Sequence, residues 1–326
     1  AADPLAADEM RPARNRRGGF WIALALTAGW LAGCGPAPTP APTAIPSVVP
    51  SPAPSTTPSP QPTLTPSLTP TAELVWPAVF EPAGCQPPPE DYTRVEMGSW
   101  VVNRRTQAML EYAARLYGGE IDLAGAAITQ GSYHDNGAAS FGTHLGGGAV
   151  DLSVIRLPEW VMLRGEIEPA LRALRAAGFA AWLREYGELS PDSPIHIHAV
   201  AVGDAELSEA AEAQLTGEAG YFRGYDGLPA QFGAPRSDRF GGPVVCAWMR
   251  AKGYEDLRPP EARVLPTALP NLTPGQSLTY AVEPGDTLPA VAARFGTRPE
   301  AVARRNHLTR VDALTVGQTL EIVVGE

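Results

Sequence analysis

Cysteine, lysine and cationic runs are scarce in this chain. Three cysteines occur in 326 residues, and Lys252 is the single lysine among 25 cationic side chains. Against these stand 35 acidic residues, a net charge of −10, and no Lys/Arg-rich run beyond the N-terminus. Such a balance lacks the electrostatic footprint of a nucleic-acid binder, so nucleic acid is not expected among the partners. The apolar stretch Phe20 to Trp30 falls short of the ~20 residues a membrane-spanning helix needs. From Gly35 to Ala72 charge is absent altogether, and a segment with neither charge nor periodic apolar residues cannot bury a core.

What is present begins with an export pattern. From Met10, its expected start, Arg11, Arg14, Arg16 and Arg17 form a cationic region, Phe20 to Trp30 an apolar one, and Leu31 to Cys34 read LAGC. That order is the architecture of a secretory signal. LAGC resembles the lipobox of bacterial lipoproteins, which implies lipidation of Cys34. The rest of the chain would then be held to the membrane from outside, facing the cell wall or periplasm. An uncleaved anchor with an incidental Cys34 is the alternative, and it too places the chain outside the cytoplasm. Cys85 and Cys246 remain, and in an exported protein they are expected to form a disulfide.

The chain divides into a signal over 1–34, a disordered Pro/Thr/Ser-rich tether over 35–75, a globular region over 76–257, a Pro-rich linker over 258–277 and a small unit over 278–326. Polyproline II at ~3.1 Å per residue lets the tether reach on the order of 100 Å. In the globular region the spacing of Met109, Tyr112, Ala113 and Leu116 predicts a helix over 106–119. Strands are expected over 126–133, 147–155 and 195–203, and helices over 167–179 and 207–215, the last capped by Ser208. Helices and strands mix without regular βαβ alternation, so the expected class is α+β.

Residues 140 to 152 read SFGTHLGGGAVDL, and residues 196 to 198 read HIH, in a chain with five histidines. A catalytic zinc site takes three ligands from His, Asp, Glu and Cys and leaves one position open. Gly146, Gly147 and Gly148 would let the backbone bend so that His144 and Asp151 face one ion. In a strand, residues two apart share a side, so His196 and His198 would enter one cleft while Ile195 and Ile197 enter the core. His134 reads as a surface loop residue.

THLGGGAVDL followed by HIH resembles the zinc peptidases of the D-Ala-D-Ala metallopeptidase, lysostaphin and Hedgehog-type fold, over about residues 100 to 205. The resemblance implies a central antiparallel sheet with flanking helices, Zn2+ held by His144, Asp151 and His198, and His196 as base or electrostatic helper. Gln130 and Tyr133, in ITQGSY, fall where one branch stabilises an oxyanion. That carboxypeptidase branch also places a glutamate shortly before its third ligand. Here Ile195 and His196 stand at those positions, and Glu185, Glu188 and Asp192 lie nearby without matching.

Residues 278–323 resemble a single lysin motif, LysM. Bottom-up they read strand, helix, helix, strand, with Val291, Ala292, Phe295 and Val302 as an apolar stripe. The resemblance implies a groove for N-acetylglucosamine-containing glycan, with Gly285, Asp286, Thr287 and Leu288 on one side and Asn306, His307 and Leu308 on the other. Together the two resemblances and the export signal imply a membrane-anchored zinc hydrolase that cuts an amide bond in peptidoglycan. A non-catalytic wall-binding lipoprotein is the alternative, and an amidase cutting the sugar–peptide junction would use the same site.

Overall fold

The computed structural model describes residues 76–326 apart from 136, 138–139, 264 and 266–267. Cys34 and the expected signal and tether lie outside them. A hairpin opens the described chain: β1 (Arg94–Met97) and β2 (Trp100–Asn103) pair antiparallel, turned by Gly98 at φ 64°. Asn103 then caps α1 (Arg104–Tyr117), its side chain accepting from the Thr106 amide at 2.8 Å, and Gly118 at φ 61° ends the helix.

Four strands form the central sheet: β3 (Ile128–Gln130), β4 (Ala149–Ser153), β7 (Phe179–Arg184) and β8 (His196–Ala201), in the antiparallel order β3-β4-β8-β7. A short hairpin, β5 (Ile155–Arg156) with β6 (Val161–Met162), leads from β4 into α2 (Arg164–Ala176). Period-two alternation divides the sheet cleanly. Leu152, Phe179, Leu183, Ile195 and Ile197 share a core with α1 and α2 residues such as Met109, Leu110 and Leu171. Ala149, Ala180, Trp182 and Val200 face the other way, into a second core with Ala211 and Leu215 of α3 (Glu209–Thr216) and Met249 of α4 (Ala247–Ala251). Both sheet faces are therefore covered, and every residue of β7 and β8 is buried.

The terminal unit contains β9 (Ser277–Ala281), α5 (Leu288–Arg294), α6 (Pro299–Arg305) and β10 (Thr319–Val323), with β9 and β10 antiparallel. Val291, Ala292, Phe295 and Val302 lie in its core as the stripe predicts. Cys85 and Cys246 form a disulfide with Cα atoms 5.6 Å apart, bridging 161 residues of sequence.

Three expectations change. The strand expected over 126–133 keeps only Ile128–Gln130: its register with β4 shifts between those two residues, and beyond them Ser132 bridges Val101 of β2 instead. The strand β7 and the β1–β2 hairpin enter unannounced. The glycines after His144 serve close approach as well as bending: a Cβ on Gly146 would strike the Glu206 carbonyl, and Gly148 takes the left-handed turn at φ 78°.

Candidate metal centre

Sheet register builds the site. Asp151 of β4 stands opposite His198 of β8, and Trp182 and Arg184 of β7 stand opposite His198 and His196. All five side chains lie on the face away from α1 and α2, since Ile195 and Ile197 occupy the core on the other side. His144 arrives from a 3-10 turn, Thr143–Leu145, at the end of the β3–β4 connection. Nitrogen and oxygen atoms of His144, Asp151 and His198 come within 4.8 Å of one another.

Hydrogen bonds set which imidazole nitrogen faces the carboxylate. His144 Nδ1 lies 2.8 Å from the Gly131 carbonyl, which can only accept, so Nδ1 carries the proton and Nε2 turns its lone pair to Asp151 Oδ1 at 3.4 Å. In His198 the roles reverse. Its Nε2 lies 2.8 Å from Gln214 Oε1, and Nδ1 faces Asp151 Oδ1 at 2.7 Å. His196 Nδ1 donates to the Pro194 carbonyl at 2.8 Å, leaving Nε2 directed toward Asp151 Oδ2 at 3.8 Å. Three rings thus have their outward nitrogen bonded to an oxygen acceptor and their inward nitrogen aimed at one carboxylate.

The electrostatics follow from that crowding. Burial opposes ionisation of Asp151, but His144 and His198 overcome it and hold the carboxyl well below the usual range. Burial works against charge on His144 too, yet the Asp151 carboxylate and its hydrogen bond raise that ring above its ordinary value. At His198 burial prevails over Asp151, and the ring is lowered. The donor set suits a divalent cation such as zinc: two imidazoles and one carboxylate, all able to be deprotonated near neutrality, each ring oriented by an outer partner. Among the described residues one other cluster, Glu81, Cys85 and Cys246, has comparable spacing, but its sulfurs are joined in the disulfide.

Gln130 lies on the neighbouring strand opposite Asp151, with its buried Nε2 lacking a hydrogen-bond partner among the described residues. Tyr133 is elsewhere. Its hydroxyl donates to the Glu206 carboxylate and accepts from Asn103 Nδ2 at 3.3 Å, beneath the glycine loop. Burial and Glu206 push that phenol up to about 12. His134 is exposed, with its ring edge-on to Trp100. Sequence reasoning missed Gln214, the outer partner of His198, and Arg184, which is buried beside the imidazoles and brought down to about 10 by desolvation. Nothing local marks either residue. A cleft of about 490 Å³ adjoins the site, sharing Phe141, Thr143, Gln214 and Leu228 with it and continuing along Ala210 and Pro229.

In the terminal unit Asp286 is 3% exposed and bonded to the Tyr280 hydroxyl at 2.6 Å, the Glu283 amide at 2.9 Å and Arg172 at 2.9 Å. Thr287 caps α5, Leu288 is in the core, and Leu308 packs against it. The Asn306 amide donates to Val302 O and Glu321 O and accepts from Glu321 N, and His307 is exposed at φ 51°.

Compared with known families, residues 280–323 match the LysM domain. No curated protein and no solved structure matches the chain.

Proposed function

We propose that this protein is an exported, lipid-anchored zinc-dependent hydrolase that cleaves an amide bond in peptidoglycan, with its LysM domain directed at the glycan. The observation that carries the reading is the convergence of His144 Nε2, the Asp151 carboxylate and His198 Nδ1, with the free nitrogen of His196 on the same sheet face. Zinc held there supplies Lewis-acid polarisation of a carbonyl and acidification of a water. His196 Nε2 takes the proton from the attacking water and returns it to the leaving nitrogen as the carbon–nitrogen bond breaks. Gln130 Nε2 donates to the oxygen on which charge develops. The adjoining cleft, lined by Ala210, Ala213, Gly217 and Pro229, admits an extended peptide of small residues. Tethering behind lipidated Cys34 raises the effective concentration of a single LysM copy at the wall.

The test is incubation of the zinc-loaded protein and of His144→Ala with peptidoglycan, followed by mass spectrometry. New peptide or amino-sugar ends with the first protein alone support the reading, and their position separates peptidase from amidase. Absence of any new end refutes it.

A second reading, a wall-binding lipoprotein without turnover, has one observation in its favour. Among the described residues lining the site, Asp151 is the single carboxylate. Glu188 is paired with Arg236 instead. Turnover by His196→Ala equal to that of the parent would remove His196 from the mechanism.

A further inference from the structure

The two loops of the terminal unit expected to meet a sugar already hold a ligand of a different kind. Residues 80–84, just ahead of the disulfide, run between the β9–α5 turn (283–287) and the α6–β10 loop (306–318). Glu81 N–H donates to Asp312 O at 2.9 Å, and Glu81 bridges Ala313 in parallel register. Two residues on, Ala83 N–H donates to Asp286 O at 2.8 Å, and Ala83 O accepts from Gly285 N–H at 2.7 Å. One short peptide therefore bonds to both loops through its main chain, in the manner of an added strand.

Side chains complete the fit. Ala83 is 1% exposed and belongs to the core of the terminal unit, with Phe80 packed against it. A Cβ on Gly84 would lie 3.2 Å from Leu116, 3.3 Å from Ala176 and 3.3 Å from Val316. From behind, the Glu81 carboxylate accepts the Ala247 amide and pairs with Arg250 at 2.9 Å, and Cys85 is bonded to Cys246. Arg172 of α2 reaches Asp286 and Glu283 from the other side.

We infer that the surface between these loops is a peptide-binding surface whose occupant is residues 80–84 of this same chain, and that the closed clasp keeps glycan from Gly285 and Asp286. The chemistry makes the two occupants rivals. The acetamido group of N-acetylglucosamine is itself an amide, so the Gly285 N–H and the Asp286 carbonyl that would hold it serve a peptide equally well. An occupant joined to the same chain competes at an effective concentration of roughly millimolar. The inference rests on the glycan-directed half of the proposed function only in the second arm of its test.

That test uses the full chain. Amide hydrogen exchange by NMR is expected to show Ala83 and Gly285 protected at least 100-fold over exposed amides. In Ala83→Glu the buried carboxylate expels the segment, and Gly285 loses at least tenfold of that protection. Tetra-N-acetylchitotetraose then shifts the Gly285 and Asp286 resonances with at least tenfold tighter binding than in the parent. Free exchange at Gly285 in the parent overturns the clasp, as does measurable glycan binding of equal strength by parent and variant. Loss of protection in Ala83→Glu without any glycan response upholds the clasp and refutes glycan targeting. Should Ala83→Glu not fold, exchange in the parent still decides.

Discussion

The histidine-bearing sheet face and the loops of the LysM domain both draw their polar residues from short motifs, yet they dispose of them in opposite ways. Around Asp151 each imidazole spends one nitrogen on a fixed oxygen and keeps the other directed inward. In the terminal unit the motif residues are absorbed by architecture: Asp286 knits Tyr280, Glu283 and Arg172 together, and Asn306 staples α6 to β10. Surplus bonding capacity at a buried polar group marks a place for a ligand. Its absence marks a structural part, whatever the motif suggests.

The largest effect expected from this contrast is at His144. Outer partners of a metal ligand alone are worth about 10–100-fold in affinity, so His144→Ala is expected to weaken zinc binding by more than about a thousandfold, or about 4 kcal/mol. Competition against a chromophoric chelator measures it, and a loss below tenfold breaks the assignment. Asp286→Ala makes the complementary case. Removing this buried carboxylate leaves the Tyr280 hydroxyl and the Glu283 amide without their acceptor and costs about 1–3 kcal/mol of stability, read by chemical denaturation, with zinc affinity unchanged.

How much of this was legible in the sequence depends on whether the information is local. The alternation in HIH places Ile195 and Ile197 in the core and both histidines opposite, and the structure agrees because β8 is buried on both faces. The βααβ order and the Cys85–Cys246 pair were equally readable. The strand β7 was not: Ala180, Ala181, Leu183 and Arg184 favour helices against the two aromatics of FAAWLR, and only packing between the two cores makes small alanines suit a strand. Gln214 sits 16 residues beyond His198 on a helix, where glutamine is ordinary. Its role comes from tertiary register, as does that of Ala83.

Acid should weaken cation binding with a defined slope. The His144 ring is raised, so it already holds a proton that a cation must displace near its ordinary value of about 6.5, whereas the lowered His198 takes up its proton only at lower pH. For the metal-free protein the sign is consistent. The His144–Asp151 interaction stabilises fully below the unfolded value of His144 and fades as pH rises through the folded one. Zinc affinity is expected to fall about tenfold per pH unit on the acid side, with about one proton released per ion. Calorimetry in two buffers of different ionisation heat counts the protons, and a count of two would show that His198 is charged as well.

Gln214 sharpens the contrast further, since its contribution runs through His198 alone. Gln214→Leu removes the acceptor that keeps the proton on Nε2, and zinc affinity is expected to drop about 10–100-fold. Gln214→Glu retains an acceptor and is expected to stay within about threefold of the parent, so the pair of variants separates ring orientation from helix packing. Equal losses in both would assign Gln214 a purely structural part.

The smallest effect is the most local. Ser208 Oγ accepts from the Ala211 amide at 3.1 Å, capping α3, and donates to the Thr143 carbonyl at 3.1 Å. One hydroxyl thereby couples the turn that carries His144 to the helix that carries Gln214. Ser208→Ala should cost about 1 kcal/mol of stability, the usual worth of a cap. Because the coupled elements each orient one imidazole, a loss of about two- to fivefold in zinc affinity is expected beside it. A stability loss with unchanged affinity would mean that sheet register, without the cap, suffices to bring the two rings to Asp151.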